Sequence, residues 1–360
     1  MDEWWIAGAK LVTPNGIVDG AVCISRRRIV ALRRRAPKSA QCIDVPGTYV
    51  APGFIDLHVW GDPLVVSREA VKGGTTAFLS TLGPSAPSRL VAELKARVRA
   101  IRRGLPGAAC LGFHLEGPFL NADRAGALSQ RWMRNPRRLE LAALARAAAG
   151  HLKLVTLAPE LTGALAAIGW CRRRRIVASL GHSQADAETA SRAVRAGASA
   201  VTHIFNGMRP FHHRAPSLLD VALGEPRLFN MVIADGVHVS PFAFRWMVRA
   251  KTTRRVVLVT DSIEYEGGDV IKRGGAYYTT YNVLAGSCLT MIRAVQNAIR
   301  FGRLTVLDAV RMASEVPARL LGLGRSAGML TVGRRADLVA FDHQFRVQLT
   351  VVNGRIVYRG

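Results

Sequence analysis

The sequence predicts an α/β fold, a (β/α)8 barrel of the TIM type with β-rich chain ends, on three observations. Between about Ala51 and Leu323, short apolar runs of strand character alternate with amphipathic helical stretches, the pattern of βα units around a parallel sheet. Eight such runs can be counted. Polar, chemistry-bearing residues end nearly all of them, at the rim where barrels of this kind build their sites.

In chain order the strand-like runs read GFIDLHVW, TTAFLSTL, ACLGFHLEG, KLVTLAPE, RIVASLGHS, AVTHIFN, FNMVIADGVHV and RVVLVTDS. Helical segments between them include SRLVAELKARVRAIRRG, PRRLELAALARAAAG and DAETASRAVRAG, and SCLTMIRAVQNAIRFG follows the eighth run after an excursion. Before the barrel, runs such as AVCIS and RIVAL are broken by the turn signals Asn15-Gly16 and Asp19-Gly20. After it, ADLVAFD, FRVQLTVV and RIVYRG surround Asn353-Gly354, a strong hairpin signal. These readings divide the chain into a β-rich unit of residues 1–50 and 324–360 and a barrel of residues 51–323.

The chain has 360 residues, 49% hydrophobic and 21% charged, a globular balance that excludes disordered, collagen-like and disulfide-scaffold classes. The formal net charge is +25. Such an excess concentrates anionic partners, from nucleic acid to phosphorylated metabolites, and says nothing of fold. The runs Arg26–Arg28, Arg33–Arg35 and Arg172–Arg175 read as solvated faces, and nucleic acid is not expected as a partner. The five cysteines form no CxxC pair, so neither a zinc ribbon nor a secreted disulfide framework is expected. The N-terminus MDEWWIAGAKLV carries acids where a signal peptide carries bases, and no run of 18 apolar residues occurs. A cytoplasmic protein without membrane association is therefore expected.

The strand-end residues are His58, Glu116, His182, His203 with Asn206, His238 and Asp261. Glu116, His182 and His203 supply one carboxylate and two imidazoles, a ligand set for a divalent first-row metal with a position open to water. Such an ion lowers the pKa of its water toward neutrality and polarises a carbonyl, which permits amide hydrolysis without a covalent intermediate. Asp261, ending VVLVTDS, brings a carboxylate to the barrel mouth as a general base and then acid. His238, in ADGVHV, is placed to polarise the scissile carbonyl. Zinc is the first expectation for the metal, with iron, cobalt and manganese equally suited to the donor set.

PGFIDLHVWG, HLEGPFLN, GHSQA, THIFNGM, ADGVHV, VTDS, SCLTMIRAVQN and GRRADLVAFD together resemble the N-acetylglucosamine-6-phosphate deacetylases, a branch of the amidohydrolase superfamily. The resemblance runs in the same order along nearly the whole chain. It implies a distorted TIM barrel with a small β-sandwich built from both chain ends. It further implies metal ligation by Glu116, His182 and His203, acid/base catalysis by Asp261 and substrate contact by His238. Asn206 and Gly207 lie where the family holds the sugar, Ala127 takes a substrate-contacting loop position, and Val283, Leu284 and Ala285 match a segment that closes over the substrate. Arg214, in RPFHHRAP, matches the arginine that binds phosphate, commonly in the neighbouring subunit's site, which implies a homodimer. A guanidinium forking onto phosphate oxygens is also a good physical reading of that residue.

Three positions depart from the family pattern. Where many relatives carry HxH for a second metal, this chain has His58-Val59-Trp60. Trp60 offers no ligand atom, so one ion per subunit is expected, with His58 reserved for a second-metal or water contact. Leu128 replaces a polar residue, and Ser262 follows the catalytic Asp where Ala is common. Competing readings are another amidase or deaminase of the same superfamily and a non-catalytic basic barrel that binds polyanions. The first is disfavoured where it needs a carboxylated lysine, because Lys153 begins its strand. The second would require a contiguous basic face and would tolerate loss of residues that are all present.

Overall fold

The computed structural model describes residues 3–263 and 270–360. Eight parallel strands follow one another around a single sheet: Phe54–Val59, Thr75–Leu82, Ala109–Glu116, Leu152–Leu157, Val177–Leu180, Ala200–Val201, Phe229–Ile233 and Val256–Val259. They are buried nearly throughout; Thr75–Leu82 has no exposed residue, as a parallel strand covered on both faces requires. The sheet closes between its ends. Asp261 N–H donates to His58 O at 2.9 Å, and Trp60 N–H donates to Ser262 O at 2.9 Å. The predicted barrel is therefore the observed one.

Helices follow the strands and cover them from outside. Pro87–Arg103 turns Leu90, Leu94 and Val98 inward, the spacing of one helix face. Arg138–Ala147, Ala164–Arg173, Ala187–Ala196 and Pro241–Lys251 do the same around the ring. Met291–Gly302 presents Met291, Ile292, Ala294, Val295 and Ala298 to the core, and its Asn297 Nδ2 donates to Ala234 O at 2.8 Å. That bond steadies the loop after the seventh strand, which carries His238.

Both chain ends meet in one eight-stranded mixed sheet. Tyr49–Pro52, just before the first barrel strand, is its join: it pairs parallel with Glu3–Thr13 and antiparallel with Leu338–Phe341. Bulges at Ile6/Ala9, Cys23/Ile24 and Ala340/Phe341 bend the strands around a separate core of Ile6, Leu11, Val22, Ile29, Val50, Leu338 and Val351. An excursion after the eighth barrel strand forms a three-stranded antiparallel sheet, Val270–Arg273, Ala276–Thr279 and Leu284–Ser287, which brings residues 283–285 to the barrel mouth.

Candidate active site

Three of the site side chains stand on backbone that L-residues seldom adopt. His182, His203 and Asp261 have φ of 47°, 28° and 50°, in or near the left-handed region. Each lies just beyond its strand, so the chain turns sharply there and drives the side chain across the barrel mouth instead of up into the next helix. The sixth strand is accordingly shorter than its sequence suggests, ending at Val201. His238 lies five residues past Ile233 in a loop rather than at a strand end.

Glu116 is the centre of the cluster. Its Oε1 lies 2.6 Å from His203 Nε2, 3.1 Å from His182 Nε2 and 3.6 Å from His58 Nε2, and all four residues are buried. His182 Nδ1 donates to the carbonyl of Arg124 at 2.6 Å, which fixes the ring with Nε2 toward Glu116. Gly207 makes this packing possible: with φ of 61°, a Cβ there would stand 2.8 Å from His182 Nδ1. Ser183, next in the chain, is tied with Gln184 to the carboxylate of Glu160, fixing the turn that presents His182.

Asp261 faces this cluster across the mouth. Trp60 Nε1–H donates to its Oδ1 at 2.9 Å. His58 Nε2 lies 3.0 Å from the same oxygen, off the line of a good hydrogen bond, and is otherwise unpartnered. Behind His58, its Nδ1 lies 3.0 Å from His114 Nδ1 and 3.2 Å from Thr81 Oγ1, while Asp56 accepts from Thr260 Oγ1 at 2.6 Å and from His58 N–H.

Electrostatics explain what the cluster asks for. Burial alone would raise the Glu116 carboxyl, but the His58 charge and the bonds from His182 and His203 hold it well below the ordinary carboxylate range. Burial likewise opposes charge on His58, yet the carboxylates of Glu116 and Asp261 outweigh it and raise that imidazole to about 9. For Asp261, burial raises the pKa, and the charge of the nearby His58 brings it below normal. Two buried carboxylates thus call for positive charge at one point. The buried Nε2 of His58 lies 3.6 Å from Glu116 Oε1 and 3.0 Å from Asp261 Oδ1, and the donor set is one carboxylate with imidazoles. A divalent ion fits these residues. His58, Glu116 and His203 present ligand atoms within 4.8 Å of one another, with His182 Nε2 against the same Glu116 oxygen.

The mouth holds a cavity of about 250 Å³. It is lined by the predicted residues Glu116, Ala127, His182, His203, Asn206, Gly207, His238, Asp261, Val283, Leu284 and Ala285, together with Trp60, Gly126 and Leu128. His238 Nδ1 is fixed by Asp235 Oδ2 at 2.6 Å, so Nε2 is its remaining polar atom. His58 sits behind this lining, fully buried. Arg214 is not brought in: it is exposed on the loop after Met208, with Nη1 2.9 Å from His213 Nε2. The sequence reading did not find Asp235, Glu160 or Asn297 as supports. Asp235 carried a signal in its spacing, three residues before His238 in a loop, and Glu160 ends the strand-like run KLVTLAPE; Asn297 acts across the fold and carried none.

The closed barrel and the buried carboxylate–imidazole cluster at its mouth define a hydrolase built to use a divalent ion. The chain belongs to the amidohydrolase family, whose model matches residues 49–357. It is 34% identical to the N-acetylglucosamine-6-phosphate deacetylase of Bacillus subtilis (strain 168), over 98% of this chain and 96% of that one. It is 33% identical to the N-acetylgalactosamine-6-phosphate deacetylase of Escherichia coli O157:H7, over 96% and 97%. Among solved structures, N-acetylglucosamine-6-phosphate deacetylase from Pasteurella multocida superposes with a TM-score of 0.92 at 27% identity, covering 99% of this chain and all of that one. No helix among the described residues is long and apolar enough to cross a membrane.

Proposed function

We propose that this protein is a metal-dependent deacetylase that hydrolyses N-acetylglucosamine 6-phosphate to glucosamine 6-phosphate and acetate in amino-sugar breakdown or recycling. The observation that carries the reading is the facing pair at the barrel mouth: Glu116 gathered with His182 and His203 on one side, and the Asp261 carboxylate on the other, around a cavity sized for a small molecule. The relatives' activity supplies the substrate class.

Glu116, His182 and His203 would hold one divalent ion, zinc first and iron, cobalt or manganese as alternatives. Bound there, it would acidify water and polarise the amide carbonyl. Asp261 takes the proton from the attacking water and returns it to the leaving amine nitrogen. His238, its ring fixed by Asp235, presents Nε2 to the carbonyl oxygen, where it polarises the scissile carbonyl. Asn206, Gly207 and Ala127 border the sugar, and residues 283–285 close the mouth over it.

Arg214 supplies the phosphate contact in this reading, from a second copy of the chain. Its exposure and its place outside its own cavity support that assignment: the guanidinium is free to reach beyond its own subunit. The cysteines, all free, support a reducing, cytoplasmic setting. The test is acetate released by metal-loaded protein from N-acetylglucosamine 6-phosphate and from its unphosphorylated analogue. Efficient release from the first and weak release from the second is expected; no release from either overturns the proposal.

A further inference from the structure

Trp60 stands where the sequence had only a missing metal ligand, and the structure gives it a bond. Its indole Nε1–H donates to Asp261 Oδ1 at 2.9 Å, with the residue buried. Backbone pairing aligns the two: Trp60 N–H bonds to Ser262 O, Asp261 N–H bonds to His58 O, and Asp261 O accepts from Ser287 N–H, each at 2.9 Å. The carboxylate therefore has a fixed root, and among the described residues the contacts of its side chain, from Trp60 and His58, end on Oδ1.

The choice of indole matters chemically. An indole N–H is a donor only, with no lone pair to offer in return. It can hold a carboxylate oxygen without taking the proton that the carboxylate must carry, and without ligating a cation. A histidine at this point would do both. We propose that Trp60 is a positioning residue for the acid/base: it anchors Oδ1 of Asp261 and leaves Oδ2 as the oxygen that exchanges the proton with water and amine. This rests on the reading of Asp261 given above.

A second observation shows the fold built around the indole. A Cβ on Gly83 would stand 3.0 Å from Trp60 Cη2 and 3.2 Å from Cζ3, and 3.5 Å from Leu128 Cδ2. Gly83 thus makes room for the ring at its far edge, and Leu128 borders the same gap. Trp60 and Leu128 line the cavity together. Two departures from the family pattern are then one apolar unit, with Gly83 as its third member, beside Asp261.

The test compares Trp60→Phe, Gly83→Ala and Asp261→Asn with the unaltered full chain, each metal-loaded. Trp60→Phe keeps an aromatic ring and loses the donor. It should lower kcat by roughly 10- to 150-fold, the range for a lost hydrogen bond to a charged group, with KM, metal content and thermal midpoint unchanged. Gly83→Ala removes no polar atom but crowds the ring, and should lower kcat in the same direction; added to Trp60→Phe it should cost little more. Should Trp60→Phe not fold, Gly83→Ala decides. With Asp261→Asn inactive, wild-type kcat in both Trp60→Phe and Gly83→Ala, or a rise in KM at constant kcat, overturns the inference and makes Trp60 a pocket wall. If Asp261→Asn itself keeps wild-type kcat, the reading of Asp261 falls, and the anchoring role with it.

Discussion

Oε1 of Glu116 and Nε2 of His203 lie 2.6 Å apart although 87 residues separate them in the chain. The contact joins the third barrel strand to the turn after the sixth, and it makes Glu116 the hub on which His182 also converges. Glu116→Gln removes the charge and keeps the shape. Elemental analysis after dialysis should then find metal well below one ion per chain, with acetate release falling in step. Full metal retention in that variant would place the ligand set elsewhere.

Arg214 provides a test of substrate class. A charge-assisted contact to phosphate contributes about 1.5–3 kcal/mol, so Arg214→Ala should lower kcat/KM for the phosphorylated sugar by roughly 10- to 150-fold. The unphosphorylated analogue should hardly respond. Equal losses for both would assign Arg214 to assembly, and no loss for either would remove phosphate from its role.

Much of this arrangement was legible in the chain. Apolar runs of strand length, most of them closed by His, Glu or Asp, announce both the barrel and its working rim, because a parallel strand buried on both faces is mostly apolar until it emerges. Partnerships were not legible. The bond from Trp60 to Asp261 spans 201 residues and depends on how the first and eighth strands close, which no local pattern records. The sequence marks Trp60 only as a residue unable to bind metal. Likewise Glu160 closes the run KLVTLAPE, but its grip on Ser183 and Gln184 exists only once the fourth and fifth strands lie side by side.

Burial separates the cysteines. It pushes the Cys110 thiol up to about 11 and the Cys171 thiol up to about 12, while Cys42 is exposed. A thiol reagent at pH 8 should label Cys42 and leave Cys110 and Cys171 untouched until the protein unfolds, because the thiolate is the reactive form. Mass spectrometry of the labelled peptides checks this; rapid labelling of Cys171 in the native protein would contradict the packing of the helix Ala164–Arg173.

Lys251 makes stability depend on pH. Burial lowers its pKa from 10.5 to about 8, with the nearby Arg255 adding to the effect against the pull of Glu225, and its Nζ donates to the Glu225 carbonyl. Between pH 8 and 10.5 the unfolded chain binds more protons at this residue than the folded one, so its contribution makes stability rise with pH across that window. Lys251→Met should remove this component. Thermal midpoints of both proteins at pH 8 and pH 10 measure it: the difference between wild type and variant should shift in favour of wild type at pH 10, and an unchanged difference would refute the assignment.

The most direct measurement of the central claim is a metal titration of the metal-free protein, followed by acetate release from N-acetylglucosamine 6-phosphate. One ligand set of Glu116, His182 and His203, with Trp60 rather than a further ligand beside Asp261, predicts activity that rises from near zero and breaks sharply at one divalent ion per chain. A break at two ions, or full acetate release with a chelator in excess, would contradict it.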